Sequence, residues 1–381
     1  MVWGGVVATA LIVVVFIDTF ETMILPRRVR HSFRLARFYY RSAWSFWRAM
    51  AQLFPAGPWR HSVLSIFGPL SLLGLVIVWA TGLIVGFALL HWSLGTALSF
   101  AGGPDDGFGT YLYFSGTTFF TLGYGDIVPT GAFGRALSVA EAGIGFGFLA
   151  VIISYLPVLY QAFSRREITI SLLDARAGSP PTSGELLRRM AVGRALSGTS
   201  HLLSEWERWA AELLESHLSY PVLSYYRSQH DNQSWVAALT IILDTSALHI
   251  AGVGGPESYQ ARLTFAMARH AAVDLGLVFQ TPPRLGESGR LSAGDLTLLL
   301  KSLREAGIQV PDEPAVAKAL TELRGLYEPF VNALAAHFTF ELPYFLPKKP
   351  PVDNWQTSPW SARSPDLGEL PAATEGSEHF H

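Results

Sequence analysis

TTFFTLGYGD, at residues 117–126, is the stretch from which the rest of the chain is best understood. Its glycines, Gly123 and Gly125, reach left-handed backbone conformations at little cost, so that successive carbonyls can face one axis. A cation leaves water when other oxygens replace its hydration shell, and inward-facing carbonyls from several copies of one loop do this. We therefore predict ion sites formed by the carbonyls of residues 121–124 and by the Thr121 hydroxyl. The predicted filter comprises Thr121, Leu122, Gly123, Tyr124, Gly125 and Asp126.

The context of the filter carries a family resemblance. The stretch lies between two long apolar segments and follows a short aromatic helix candidate. Over about residues 62–165 the chain resembles the pore of potassium channels of the two-helix bacterial type. The resemblance implies a potassium-selective pore with potassium ions in the filter, and no organic cofactor is expected. Because such a pore needs four loops and the chain has one, it also implies a homotetramer.

The filter departs from the family pattern at several positions. Leu122 stands where valine is usual, and its side chain is expected to face away from the ions. Many relatives place a glutamate and a tryptophan, both bonded to the outer aspartate, where this chain has Thr117 and Phe114. We expect Glu141, in the third apolar segment, to bond behind the filter near Thr117 and Thr118, either as a structural group or in an ion-sensing role.

Composition places much of the chain in a membrane. Half of the residues are hydrophobic, only 15% are charged, and there are 11 tryptophans and 24 phenylalanines. For a chain of 381 residues this composition favours membrane segments over a large soluble core. The absence of cysteine excludes disulfides, thiolate metal sites and cysteine nucleophiles.

Three apolar runs are long enough to span a bilayer as helices: residues 2–25, 63–92 and 134–163. Asp18 and Glu21 share a face of the first run and are expected to point at protein or at nearby arginines. Trp79 and Trp92 are expected at the membrane interfaces of the second run. We expect the chain to lie in a bacterial inner (plasma) membrane. The arginines after the first run predict that its N-terminus is outside and its C-terminus is in the cytoplasm.

Residues 26–61 are basic and contain no acidic residue. A helical stripe of arginines faces an opposite side with Leu35, Tyr39, Phe46, Met50 and Leu53. Such a helix lies in the membrane plane and contacts anionic lipid. The predicted contacts are Arg30, Arg34, Arg37 and Arg41. A voltage sensor is the alternative, but the segment is too polar to span and ends at Pro55 and Pro58.

The third run is predicted to gate the pore. Gly145 occupies the position at which the pore-lining helix of the resembled family bends, and Gly143 and Pro157 offer further places to bend. By the same register, the cavity is expected to be lined by Phe146, Leu149, Ile153 and Ser154.

The remaining residues predict a cytosolic helical domain. Helical patterns occur at about 184–195, 200–217, 232–251, 257–276, 293–306 and 313–337, and Ser183 and Ser292 are expected N-caps. The preferred candidate for a pocket that receives an anionic or aromatic ligand comprises Arg227, His230 and Trp235, although lone polar residues on bundle helices are more often structural.

The fold class is thus an all-α membrane protein. We divide the chain into an N-terminal transmembrane helix (1–25), a basic interfacial helix (26–61), a pore domain (62–165), a cytosolic helical regulatory domain (166–346) and a disordered tail (347–381).

Potassium conduction gated by an unknown stimulus is the function that these patterns favour. The alternatives are a subunit of a potassium-uptake transporter, a weakly selective cation channel, and a membrane-tethered enzyme or receptor. An enzyme is not expected, because the helical domain contains no nucleophile elbow, phosphate loop or HExxH motif.

Overall fold

The described residues fold mainly into α-helices, which confirms the all-α membrane fold expected from the sequence. The structure is a computed structural model that describes residues 2–25, 34–55, 57–100, 107–193, 195–229, 233–255, 259–286 and 289–348. The chain divides into two compact units, Met1–Gln161 and Ala162–His381. Predictions for Arg30, His230 and the tail from residue 349 fall outside the described residues.

The first unit contains helices α1 (Val2–Met23), α2 (Leu35–Ala51), α3 (Pro58–Ser93) and α4 (Phe108–Phe119), and α5 (Ala132–Ala177) begins in it. Three of these helices, α1, α3 and α5, are long and apolar enough to cross a membrane. Helix α3 begins earlier than predicted, at a proline whose fixed φ suits the first helical position. Helix α5 extends well past residue 163, through the segment 168–173.

Helices α1 and α3 pack closely along small residues. A Cβ atom on Gly86 would lie 2.7 Å from Ile12 Cγ1, and one on Gly82 would lie 3.0 Å from Val15 Cγ2. At the other end of the pair, a Cβ on Gly4 would meet Ser93. The residue numbers of these contacts increase along α1 as they decrease along α3, so the two helices are antiparallel. The glycines allow the close approach that drives helix association in a bilayer.

Asp18 ties the first three helices together. Its buried carboxylate accepts hydrogen bonds from the Ala36 backbone N–H, at 3.0 and 3.2 Å, and from Trp79 Nε1 at 2.8 Å. One turn later, Glu21 pairs with Arg34 at 3.2 Å. The two acids therefore face protein and an arginine, as predicted. The expectation that Trp79 anchors an interface is wrong, because its ring is buried and its N–H is bonded to Asp18.

A short two-stranded ribbon, not predicted from the sequence, joins the segment before α4 to the segment after the predicted filter. Strand β1 (Leu98–Phe100) pairs antiparallel with β2 (Ile127–Pro129), with Ser99 opposite Val128. Strands of three residues are too short to show alternation, so the pairing depends on tertiary contacts.

The second unit is a helical bundle whose elements match the predicted windows. It holds α6 (Ser183–Val192), α7 (Thr199–Ser219), α8 (Trp235–Ile250), α9 (Tyr259–Val278), α10 (Ala293–Glu305) and α11 (Glu313–Phe338). Helix α8 is buried from Trp235 to His249 and forms the core of the unit. The predicted Ser292 cap is confirmed as a capping box with Asp295. Helix α6, however, is capped by Thr182, and Ser183 is its first helical residue.

Candidate ion-conducting site

The filter backbone alternates in handedness. Thr121, Gly123 and Gly125 have φ values of 56°, 54° and 77°. The glycines adopt the left-handed conformation expected of them, and the non-glycine Thr121 does so at a cost of about 1–2 kcal/mol. A Cβ atom at either glycine would meet nothing within 4 Å among the described residues, so within one chain glycine is needed there for its φ and not for space. Strained backbone of this kind is typical of functional loops.

The C-terminal end of α4 is hydrogen-bonded to the N-terminal part of the predicted filter. Thr117 accepts hydrogen bonds at its carbonyl oxygen from the N–H groups of Leu122, at 2.8 Å, and Gly123, at 3.4 Å. Thr121 N–H donates to the Thr118 carbonyl at 3.0 Å. Thr117 and Thr118 thus support the loop through their carbonyls. The whole filter is exposed in the single chain, and Tyr124 is 69% exposed.

Asp126 has a partner that was not predicted from the sequence. Tyr113 donates its hydroxyl to Asp126 Oδ2 at 2.9 Å, and the Ile127 N–H donates to Asp126 Oδ1 at 3.1 Å. Phe114, at the position expected to hold the partner, is buried with its ring edge-on to His91. Tyr113 directly precedes Phe114 in the sequence, and its phenolic hydroxyl was the feature from which the bond to Asp126 could have been predicted.

Glu141 lies in a buried polar cluster behind α4. It is hydrogen-bonded to Ser115 Oγ, which also lies 2.8 Å from the Ile84 carbonyl oxygen. Its second oxygen lies 3.4 Å from His91 Nε2, and His91 Nδ1 lies 3.1 Å from Thr96 Oγ1. The expectation that Glu141 bonds near Thr117 and Thr118 is corrected, because its recorded partners are one turn earlier on α4 and on α3. Neither His91 nor Ser115 was singled out from the sequence.

The proposed gate residues all lie within one continuous helix, α5. Phe146, Leu149 and Ile153 are exposed along it, and Ser154 donates to the Ala150 carbonyl at 2.8 Å. Gly143 and Gly147 are exposed, whereas Gly145 is buried. Bending at Gly143, Gly145 or Pro157 stays a prediction, as does the lining of a cavity.

The predicted ligand pocket in the second unit is not supported. Arg227 donates to the carbonyls of Phe338 and Thr339, both at 3.0 Å, and lies over the Phe340 ring. Trp235 is buried and donates to the Ser224 carbonyl at 3.1 Å. Both side chains bind the end of α11 and the core, so their polar groups serve the fold. His230 lies outside the described residues.

Comparison with known proteins agrees with this geometry. Residues 73–161 match the sequence profile of the ion channel family. The chain is also 28% identical over 200 residues to the uncharacterized membrane protein YdjJ of Bacillus subtilis strain 168. That alignment covers 52% of this chain and 57% of the relative, so the chain spans little more than half of the relative's length. No solved structure matches the chain. These findings support an ion channel within a helical membrane protein.

Proposed function

We propose that the protein is a potassium-selective channel that conducts passively through a homotetrameric TLGYGD filter. The observation that carries the proposal is the alternating backbone at Thr121, Gly123 and Gly125, because it is the conformation needed to aim consecutive carbonyls at one axis. Four such loops would replace the water around a dehydrated potassium ion. Potassium ions are then the only ligands of the site, with Asp126 adding negative charge at its outer mouth.

Assembly from four copies is supported by what a single chain leaves exposed. The filter and the α5 side chains Phe146, Leu149 and Ile153 are accessible, although they belong to a segment that matches the ion channel family. In a tetramer these groups would face the axis and the neighbouring subunits. Gating would then occur along α5, by a stimulus acting on the second unit or on the membrane.

The same proposal includes an orientation. The chain would cross a bacterial plasma membrane with its N-terminus outside. The arginines around α2 and the second unit would then lie on the cytoplasmic side, and the ribbon and Asp126 would lie outside.

Helix α2 is proposed to contact anionic lipid of the inner leaflet. One side packs on α3 through Trp44 and through Trp47, whose Nε1 donates to the Val63 carbonyl at 2.9 Å. Arg37 and Arg41 are exposed on the flank, next to Phe38, which is 69% exposed. Arginine beside exposed aromatic side chains suits the boundary between headgroups and acyl chains. Arg34 is already paired with Glu21 and contributes less.

Flux through the reconstituted protein tests the main proposal. We expect the purified full-length protein in lipid vesicles to pass potassium down its gradient, to reject sodium, and to be blocked by barium. Sodium flux equal to potassium flux would point to a weakly selective cation channel. Potassium flux that does not depend on the membrane potential would favour an uptake transporter subunit. A matched Gly125→Ala variant, strained at φ 77°, should lose flux.

Lipid dependence is tested on the same vesicles. Replacing both Arg37 and Arg41 by glutamine should abolish any dependence of flux on phosphatidylglycerol, whereas replacing both by lysine keeps the charge and should keep most of it. Equal behaviour of the two double variants contradicts the lipid contact and leaves the pore proposal intact.

A further inference from the structure

Helix α5 touches the end of α4 through backbone at Gly145. A Cβ atom on this residue would lie 1.9 Å from the Phe119 carbonyl oxygen, 2.8 Å from its carbonyl carbon and 3.2 Å from its Cα. All three atoms are backbone, so a rotamer change cannot relieve the overlap. The last turn of α4 must move if Gly145 gains any side chain.

A second contact lies one turn earlier on both helices. Glu141 precedes Gly145 by four residues, and Ser115 precedes Phe119 by four, so each pair shares one face of its helix. Glu141 and Ser115 are hydrogen-bonded and fully buried. Ser115 also lies 2.8 Å from the Ile84 carbonyl oxygen of α3. Two matched contacts fix both the rotation and the depth of α4 against α5.

The filter is attached directly to the part of α4 that these contacts hold. Thr117, which lies between Ser115 and Phe119, accepts the N–H of Leu122 at 2.8 Å. Phe119 is two residues before Thr121, the innermost filter residue. Its ring also packs against Phe148 of α5, with the ring centroids 5.9 Å apart. Movement of this turn therefore moves the carbonyls at the inner end of the filter.

We propose that the α5 face formed by Glu141 and Gly145 is a positioning surface for the filter, and that Gly145 is there for close contact and not as a hinge. This inference rests on the proposed potassium selectivity. It assigns to Gly145 and Glu141 an effect on which ion passes, and not on how often the pore opens.

The neighbouring glycines allow a close-contact role of Gly145 to be distinguished from a hinge role. Gly143 and Gly147 lie two residues away on the same helix, and a Cβ atom there would meet nothing within 4 Å among the described residues. Substitution by alanine stiffens the backbone similarly at all three positions. A hinge is sensitive to that stiffening, whereas a contact surface is sensitive only at Gly145.

The experiment compares Gly145→Ala with Gly143→Ala in the full-length protein in vesicles. The readout is the ratio of potassium to sodium permeability, measured together with the rate of total cation flux. We expect Gly145→Ala to lower the ratio by about tenfold or more, because overpacking against backbone displaces the last turn of α4, and Gly143→Ala to leave it within about twofold. An unchanged ratio in Gly145→Ala, with only the total flux altered, would overturn the proposal in favour of the hinge.

Ser115→Ala provides a second route to the same answer if Gly145→Ala does not assemble. It removes the hydroxyl that Glu141 binds and leaves the close backbone contact in place. We expect a smaller loss of selectivity, about threefold to tenfold. The control is Ser138→Ala, which removes a hydroxyl that, among the residues the structure describes, is hydrogen-bonded only to the local Gly134 carbonyl. Equal ratios in the two serine variants contradict the proposal. A wild-type protein without selectivity would instead contradict the proposed function. Failure of the positioning surface and failure of the proposed function are therefore distinguishable.

Discussion

Single buried polar residues carry much of the specificity of this fold. Asp18 shows how: its two oxygens accept a backbone N–H of α2 and the indole N–H of Trp79 on α3. A buried carboxylate is tolerated where its hydrogen bonds are satisfied, and the partners must then adopt one arrangement. The buried histidines of the second unit differ from this carboxylate, because burial keeps them in the neutral form.

His249, at the end of α8, makes the second unit sensitive to acid. Burial lowers the pKa of His249 to about 4, although a backbone hydrogen bond with Val253 acts in the other direction. Burial and the nearby Arg166 also hold the pKa of His217 well below its ordinary value. In the unfolded chain a histidine titrates near 6.5, so between about pH 6.5 and 4 the unfolded state binds protons that the folded state excludes. Stability is therefore lost as the pH falls through this window.

We predict that His249→Gln reduces this acid sensitivity. Between pH 7 and 5 the wild-type residue should contribute a loss of about 2 kcal/mol in the free energy of unfolding, which the variant should lack. Tryptophan fluorescence during denaturant unfolding of the full-length protein measures the difference. The matched control is His270→Gln, which alters a histidine whose side chain is 60% exposed. Parallel pH profiles for wild type and His249→Gln would contradict the assignment.

At the scale of elements, close packing of α1 on α3 helps to place α2, which also packs on α3 directly. The glycines at 82 and 86 bring the helix backbones together, and Asp18 at the end of that contact receives the N-terminus of α2. Because lipid tails are as apolar as leucine, such packing depends on shape more than on hydrophobicity. A side chain inserted between the helices should therefore be costly.

Gly86→Val should weaken the α1–α3 contact. Its Cβ would already lie 2.7 Å from Ile12 Cγ1, and overpacking of this kind costs about 1–3 kcal/mol. The midpoint of unfolding by denaturant in mild detergent should fall accordingly. Gly5→Val on α1 is the matched control, since a Cβ there makes an ordinary 4.0 Å contact with Ser93. If both variants unfold at the same midpoint, the close approach is not what holds α1.

For the whole molecule, ion binding and assembly should be linked. If four filters together bind potassium, the ion stabilises the assembled state by mass action, by about 2.7 kcal/mol at a concentration one hundred times the dissociation constant. In such an assembly the four subunits would contribute equally, so the filter and the tetramer would be one structural unit.

We expect the assembly to melt at a higher temperature in potassium chloride than in sodium chloride of equal concentration. Heating followed by size-exclusion chromatography in detergent measures the loss of assembly. Gly123→Ala, with alanine forced to φ 54°, should abolish the difference between the two salts while the helical content stays the same. A wild-type assembly that melts alike in both salts would argue against filter occupancy by potassium.

Regular helices were predictable from the sequence because the signals for them are local. Apolar periodicity located α6 to α11 to within a few residues, and Ser292 with Asp295 marked the start of α10. The glycines of GYG predicted positive φ values because that freedom belongs to the residue itself. Where two local signals competed, at Thr182 and Ser183, the wrong residue was chosen as the cap.

Partners distant in sequence were not predictable. Asp244 is buried between Arg290, which donates to it at 2.7 and 2.8 Å, and Tyr327, which is hydrogen-bonded to it. Burial raises the pKa of Asp244 and disfavours the charge of Arg290, but the carboxylate outweighs that cost and raises the pKa of Arg290. No pattern in the sequence links residues 46 positions apart.

The sequence by itself determined the helical membrane fold and the conformational freedom of the filter glycines, because hydrophobic periodicity and the lack of a Cβ act within one segment. Only the tertiary structure decided that Glu141 meets Ser115 and His91, that Tyr113 meets Asp126, and that Gly145 lies against the Phe119 carbonyl. Those contacts join separate helices, and their geometry depends on how the helices pack.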